Sequence, residues 1–103
     1  MEIVNNLFEL LSEKYHITKY AYSTDWLRKS KGYFAYLQST NNTPSLDVLF
    51  GLYGEALRRK EMWEELARGN KNIDRTIYNE HANFFTDIVS ELENEIRQQS
   101  MTM

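Results

Sequence analysis

The sequence predicts an all-α fold, with a helical core followed by one long C-terminal helix. Apolar residues recur every three or four positions along most of the 103 residues, and no strand-like alternation competes with that pattern. The length suits one domain with a single modest core, to which the aromatic residues, 14% of the chain, contribute much of the bulk. We assign residues 1–70 to the core and residues 71–103 to an amphipathic helix that packs on it or forms a dimer interface.

Two helices are predicted in the first part of the chain. Residues 2–15 place apolar side chains at helical spacing with polar residues between them, and His16 is expected to end this helix. Ser23 and Thr24 are suitable N-cap residues for a short second helix. Trp26, which lies in that helix, is interpreted as a core residue.

A third helix is predicted over residues 31–39, with Ser30 as its N-cap. Phe34 and Leu37 are three residues apart and are expected to face the core. The residues that follow, 40–44, are polar up to a proline and form a loop by composition.

A fourth helix is predicted to begin at Leu46. Gly51 and Gly54 lie inside it, and each costs about 1 kcal/mol of helix propensity relative to Ala, so close packing against a neighbour is expected to compensate. The segment 58–66 either continues this helix or bends away from it, and Gly69 is a typical helix stop.

The last helix is predicted over residues 73–99, with Ile77 and His81 on its inner stripe. Glu91 and Glu95 interrupt the heptad seam, so the stripe follows a 3.6-residue period better than strict heptads. This pattern favours packing on a globular core over a free coiled coil.

Several classes of function are disfavoured by what the sequence lacks. It has no cysteine, which excludes disulfides and cysteine-based metal sites. It begins without a secretory signal and contains no apolar stretch near the roughly 20 residues needed to cross a bilayer, so we expect a cytoplasmic protein with no membrane partner. His16 and His81 are far apart, and no Gly-rich phosphate loop or nucleophile elbow is present. We therefore expect neither an enzyme nor a cofactor or metal site.

Charge is distributed unevenly along the chain. Residues 1–60 carry eight Lys and Arg against six Asp and Glu, whereas residues 61–103 carry four against nine. Within residues 14–31 there are five basic residues and a single acid, Asp25. Such a basic patch on an acidic protein can attract phosphate, and the alternative is a solvated polar face.

The spacing between residues 26 and 57 carries the main functional signal. Phe34 and Leu37 are followed by a polar loop, then by Pro44 and Ser45, and then by a Leu-rich helix. This arrangement resembles the Cro/CI-type (XRE-type) helix-turn-helix repressors, including small uncharacterised bacterial or phage proteins of that fold. The resemblance implies a recognition helix at residues 31–39 that enters the major groove of DNA.

Three positions depart from that family's pattern. Arg28 stands at the turn position where that family usually has Gly. Thr24 occupies the position of the small residue in the family's first helix, and Tyr20 lies near the position of the Gln that begins its helix. Gly tolerates a positive φ at such a turn, which costs Arg roughly 1 kcal/mol or more. Either the turn geometry differs in this chain, or the motif serves another purpose.

The resemblance also implies a set of DNA-binding residues. Arg28 and Lys29 would reach phosphates, and the loop asparagines would contact the DNA backbone. The face has no Arg, Gln or Asn placed to read a base bidentately, so it fits phosphate contact better than sharp sequence specificity. The candidates are Arg28, Lys29, Lys31, Gly32, Tyr33, Tyr36, Asn41 and Asn42.

Two functional hypotheses follow. The first is a DNA-binding transcriptional regulator that works as a homodimer through its last helix on double-stranded DNA. The second is a protein-interaction module, such as an inhibitor encoded by a phage or mobile element, that uses a degenerate helix-turn-helix. Arg28 in the turn, the acidic C-terminal part and the seven tyrosines favour the second, because Tyr is enriched at protein interfaces.

Overall fold

A computed structural model describes residues 2–69 and 75–102, apart from the side chain of Thr102. Within these residues all regular structure is helical, which confirms the predicted all-α class. The elements in chain order are α1 (Glu2–Tyr15), α2 (Lys19–Ala21), a π-helical turn π1 (Tyr22–Trp26) that continues α2 directly, α3 (Tyr33–Thr40), α4 (Leu46–Gly69) and α5 (Thr76–Thr102).

The hydrophobic core lies where α1, π1, α3 and α4 meet the middle of α5. Trp26 is 1% exposed, which confirms its predicted place in the core. Burial of each large apolar side chain contributes about 1.5–3 kcal/mol to folding, so this cluster is the main source of stability. Its fully buried members include Val4, Leu11, Tyr22, Trp26, Leu27, Phe34, Leu49, Leu52, Phe85 and Leu92.

Helix α5 packs antiparallel along α4. The Tyr53 hydroxyl donates to Oε1 of Glu93 at 2.9 Å, while near the other end of the pair the Trp63 ring stacks 4.3 Å from the His81 ring. Phe85, in the middle of α5, is buried in the chain's own core, as the 3.6-residue period predicts.

The second helix begins earlier than predicted. Thr18 is its N-cap, and the Thr18 hydroxyl accepts a hydrogen bond from the Ala21 N–H at 3.1 Å. Ser23 and Thr24, predicted as caps, lie inside π1, where their hydroxyls donate to carbonyl oxygens four residues earlier. The prediction was wrong because the inward-facing residues of this segment already begin at Tyr22.

Helix α3 begins at Tyr33 and not at residue 31. Gly32 occupies the N-cap position, so the predicted side-chain cap at Ser30 is wrong; Ser30 contributes its carbonyl, which accepts from the Tyr33 N–H at 3.0 Å. Phe34 and Leu37 are buried as predicted.

Helix α4 runs without a break from Leu46 to Gly69, so the segment 58–66 continues it and Gly69 ends it. The close packing expected at its glycines is not seen. A β-carbon at Gly54 would meet nothing within 4 Å, and one at Gly51 would meet only Cδ of Arg28, at 4.0 Å. Gly51 faces the Arg28 side chain and Gly54 faces open space, so neither glycine packs against a neighbouring helix.

Helix α5 is described from Thr76, and the predicted start at residue 73 lies outside the described residues. Ile77, predicted to face inward, is 58% exposed. In the first turns of α5, Tyr78 and His81 contact Trp63. Ile77 precedes Tyr78, and successive residues of an α-helix are about 100° apart around its axis, so Ile77 points away from Trp63.

Candidate nucleic-acid interface

The turn that leads into α3 contains a strained residue. Arg28 has φ = 57°, in the left-handed region, at the turn position where the resembling family has Gly. The turn is closed by backbone hydrogen bonds from the Leu27 N–H to the Tyr22 carbonyl at 3.0 Å and from the Lys29 N–H to the Ser23 carbonyl at 2.9 Å. The backbone therefore takes here the conformation that glycine adopts most readily.

Helix α3 has one face in the core and one in solvent. The Phe34 ring lies 4.8 Å from the Phe8 ring and 4.9 Å from the Tyr22 ring, centroid to centroid, which fixes the inner face. Tyr36 on the opposite side is 53% exposed. The outward side of the segment 31–39 is exposed and comprises Lys31 and Gly32 just before the helix and Ala35, Tyr36 and Ser39 within it.

Two candidate lysines gather with an aromatic ring at the N-terminal end of α3. Lys29 and Lys31 are both exposed, and the Lys29 ammonium lies 5.7 Å from the centroid of the half-buried Tyr33 ring. Burial, with a smaller effect of Tyr36, raises the pKa of the Tyr33 hydroxyl above its ordinary value, so it stays a neutral donor. The first turn of α3 contains no acidic residue, so this end of the helix presents the two cations.

The remaining candidates lie at the C-terminal end of α3. The Asn42 amide donates to the Tyr36 hydroxyl at 3.4 Å. Asn41 is the left-handed C-cap, with φ = 54°, and its N–H donates to the Leu37 carbonyl at 2.9 Å, so it has a structural role in ending the helix. The eight-residue helix, about 12 Å long, therefore separates two groups of candidates.

A shallow cleft borders the outer face of α3. Its volume is about 440 Å³, and Thr18, Lys19 and Tyr20 from the start of α2 line it together with Ala35 of α3. Lys19 thus adds a third exposed cation beside the helix, and Tyr20, which sequence reasoning did not include among the site residues, is 65% exposed.

Sequence reasoning also missed an ion cluster on α4. The Glu55 carboxylate, in a residue only 4% exposed, accepts hydrogen bonds from Nη2 of Arg58 at 2.6 Å, from Nε of Arg58 at 3.2 Å and from Nε of Arg59 at 2.9 Å. Nη2 of Arg28 lies 3.6 Å from the same carboxylate. A signal was present, because Glu55 falls between the apolar residues of α4 and is followed by arginines at the i+3 and i+4 positions.

The protonation state of this cluster follows from its contacts. Burial pushes the pKa of Glu55 upward, but hydrogen bonds from Arg58 and Arg59 and their positive charges outweigh that effect and hold it below its ordinary value. The Arg59 guanidinium also lies 4.5 Å above the Trp26 ring, which anchors the cluster to the core. Glu55 is therefore a charged carboxylate surrounded by three guanidinium groups.

His81 belongs to a separate cluster that ties α1 to α5. Its Nδ1 shares a 2.6 Å hydrogen bond with the Tyr15 hydroxyl, and the imidazole stacks on Trp63. Burial lowers the pKa of His81, the positive charge of Lys14 lowers it further, and Glu80 opposes both. The contacts of His81 with Tyr15 of α1 and Trp63 of α4 therefore surround an imidazole whose neutral form is favoured.

None of the helices in residues 2–69 and 75–102 combines the length and apolar composition needed to span a bilayer. In that same part of the chain, no three His, Asp or Glu side chains are grouped to hold a metal ion. No curated protein and no solved structure is significantly similar to this chain. Residues 4–103 match a family of unknown function, DUF6626, and because the match covers nearly the whole chain, the protein belongs to that family.

Proposed function

We propose that this protein binds double-stranded DNA through the outer face of α3, as a helix-turn-helix protein of the Cro/CI type, and acts as a transcriptional regulator. One observation carries the proposal. The inner face of α3 is locked into the core by Phe34, while its outer face is exposed and is preceded by the cations Lys29 and Lys31. A rigid helix with an open cationic end is what major-groove binding requires.

The turn before α3 supports the helix-turn-helix interpretation. Arg28 adopts a positive φ at the position where that family uses Gly. The residue type differs from the family's pattern, but the backbone conformation is the one that a glycine at this turn would favour. Phe34 and Leu37 are buried at the two positions that the family buries. Ser45 directly precedes α4, and its carbonyl and its hydroxyl both accept from the Val48 N–H.

The chemistry of the face favours contact with phosphates over reading of bases. Lys29 and Lys31 are point charges suited to phosphate, and Gly32 has open space where a β-carbon would be, so the DNA backbone can approach closely. Tyr36 and Ser39 discriminate between bases only weakly. We therefore expect affinity that is mainly electrostatic and a modest preference for sequence.

The test is fluorescence anisotropy with a labelled duplex at several salt concentrations. We expect wild-type affinity to fall steeply with salt, and the double variant Lys29→Ala/Lys31→Ala to reduce the slope of log K against log salt by about 1.8, close to 0.9 for each lost phosphate contact. Arg68→Ala is the matched control, since Arg68 is exposed and lies 13 residues beyond Glu55 on α4, about 20 Å along the helix axis. Absence of binding at low salt, or an equal loss with Arg68→Ala, would overturn the proposal.

The homodimer that the DNA-binding hypothesis includes would have to use surfaces other than the apolar stripe of α5. Phe85, Ile88 and Leu92 from that stripe are buried in the chain's own core. Sedimentation equilibrium of the free protein and of its DNA complex measures the stoichiometry directly. A dimer on DNA fits a palindromic site, whereas a single copy per duplex removes the dimer from the proposal.

A second candidate function is a protein-interaction module, and exposed aromatic side chains favour it. Tyr36 lies on the outer face of α3 and Tyr20 lines the cleft beside it, and both are more than half exposed. Tyr is common at the centres of protein interfaces. In affinity capture from the lysate of a host cell, a specific partner should be lost with Tyr20→Ala/Tyr36→Ala, and unchanged capture would count against this face as an interface.

A further inference from the structure

The cluster around Glu55 carries more positive charge than its carboxylate neutralises. Three guanidinium groups surround one carboxylate, so two positive charges are in excess. Nη2 of Arg28 and Nε of Arg58 both lie within 3.6 Å of the same oxygen, Oε2 of Glu55. The cluster is therefore a compact cationic site, even though its centre is a buried carboxylate.

The guanidinium groups retain donors for a ligand. Arg58 uses Nε and Nη2 on Glu55, and Arg28 makes only the longer 3.6 Å contact, whereas each guanidinium has five N–H groups. The side chains of Arg28 and Arg58 are 62% and 61% exposed, so their remaining donors face solvent. Arg59 is the third member and is held more deeply, against Trp26.

The surface of α4 next to these donors is bare. Gly54 lies four residues before Arg58, one turn earlier on the same face, and nothing lies within 4 Å of the position of its missing β-carbon. At Gly51, one turn earlier again, a β-carbon would meet only Cδ of Arg28, at 4.0 Å. A ligand can therefore approach the helix backbone closely and still reach both arginines.

We propose that Arg28 and Arg58, held on the Glu55 carboxylate, bind a phosphodiester group of DNA, with Arg59 as a positioning residue. This inference rests on the proposed function, because it assigns the site to the same duplex that α3 contacts. The guanidinium group matches phosphate geometry, and a guanidinium already fixed by a carboxylate loses less entropy when it binds. Arg28 is followed directly by Lys29, so this site continues the cationic end of α3 onto α4.

The experiment compares salt-dependent binding of a labelled duplex by the wild type, Arg58→Ala and Arg58→Lys. We expect Arg58→Ala to reduce the slope of log K against log salt by about 0.9, the loss of one phosphate contact, and to weaken binding several-fold. Arg58→Lys keeps the charge, so it should restore the slope but only part of the affinity. Arg68→Ala, an exposed arginine on the same helix, should change neither quantity.

The outcomes separate this inference from the proposed function. A wild-type slope in Arg58→Ala, together with a reduced slope in Lys29→Ala/Lys31→Ala, would overturn the phosphate site and leave α3 as the DNA-binding helix. Absence of wild-type binding at low salt would overturn both. Circular dichroism melting of each variant checks the fold, and if Arg58→Ala is unfolded, Arg58→Lys carries the test: affinity equal to wild type would then contradict a role for the guanidinium.

Discussion

The Ser23 hydroxyl accepts a hydrogen bond from the Phe34 backbone N–H at 3.0 Å and donates one to the Lys19 carbonyl at 2.9 Å. Both Ser23 and Phe34 are fully buried. Phe34 is the second residue of α3, and Gly32 at the N-cap position has no side chain that could accept from the Phe34 N–H. Ser23 therefore caps α3 from the preceding π1 turn and fixes the position of the two elements relative to each other.

Replacement of Ser23 by Ala should destabilise the protein by about 1–3 kcal/mol, because it leaves the buried Phe34 N–H without a partner. The free energy of unfolding in urea measures this loss. The neighbouring Thr24→Ala is the control: Thr24 is exposed, so its change should stay within about 0.5 kcal/mol. Equal losses in the two variants would contradict the cap.

Arg28 offers a test of the left-handed turn. Arg28→Gly and Arg28→Ala both remove the guanidinium contact with Glu55 and differ only in the β-carbon at φ = 57°. The Gly variant should therefore be more stable than the Ala variant by about 1 kcal/mol in urea unfolding. The same pair of substitutions at Lys29, which has no positive φ, should lack this advantage for Gly, and a Gly advantage of equal size there would refute the explanation.

His81 should make stability depend on pH below its ordinary pKa of 6.5. Because the folded state lowers the pKa of His81, it favours the neutral imidazole, so its contribution is complete above pH 6.5 and is lost as the pH falls from 6.5 through the lower folded-state value. Unfolding measured in steps from pH 7.5 to pH 5 should show this decline. His81→Gln should flatten that part of the curve, and an unchanged decline in this variant would contradict the explanation.

Gly54→Ala should stabilise the protein by up to about 1 kcal/mol. Gly54 lies inside α4, a β-carbon there meets nothing within 4 Å, and Ala has the higher helix propensity. For a domain of this size, that gain corresponds to a rise in Tm of about 4–8 °C. Gly32→Ala is a useful contrast, since Gly32 is an N-cap, where Ala is disfavoured, and its Tm should not rise.

The helical period of the sequence was sufficient to find most of the core. It predicted the inward positions of Phe34 and Leu37 and the continuous packing of α5, because these depend on spacing within one helix. It failed at Ile77, which satisfies the spacing but lies in the first turn of α5, where Tyr78 contacts Trp63 instead. The spacing of apolar residues does not show which of two adjacent residues, Ile77 or Tyr78, faces the neighbouring helix.

The errors at the helix ends and in the candidate site have a different cause. Ser23 is a cap, as its residue type suggests, but it caps a helix that begins ten residues later. Glu55 pairs with two arginines close in sequence and with Arg28, which is 27 residues away and comes near only through the turn. Such contacts are set by the tertiary arrangement, and local propensities do not contain them.

The buried carboxylate of Glu55 also constrains how this family can diverge. Among the described residues Glu55 is the one charged side chain classed as buried, and Arg58 and Arg59 satisfy it. Loss of either arginine removes hydrogen bonds from a desolvated negative charge, whereas joint replacement of Glu55 and its arginines by apolar or neutral residues avoids the cost of burying that charge. Homologues should therefore change these positions together, and an alignment in which they vary independently would indicate a different arrangement in those relatives.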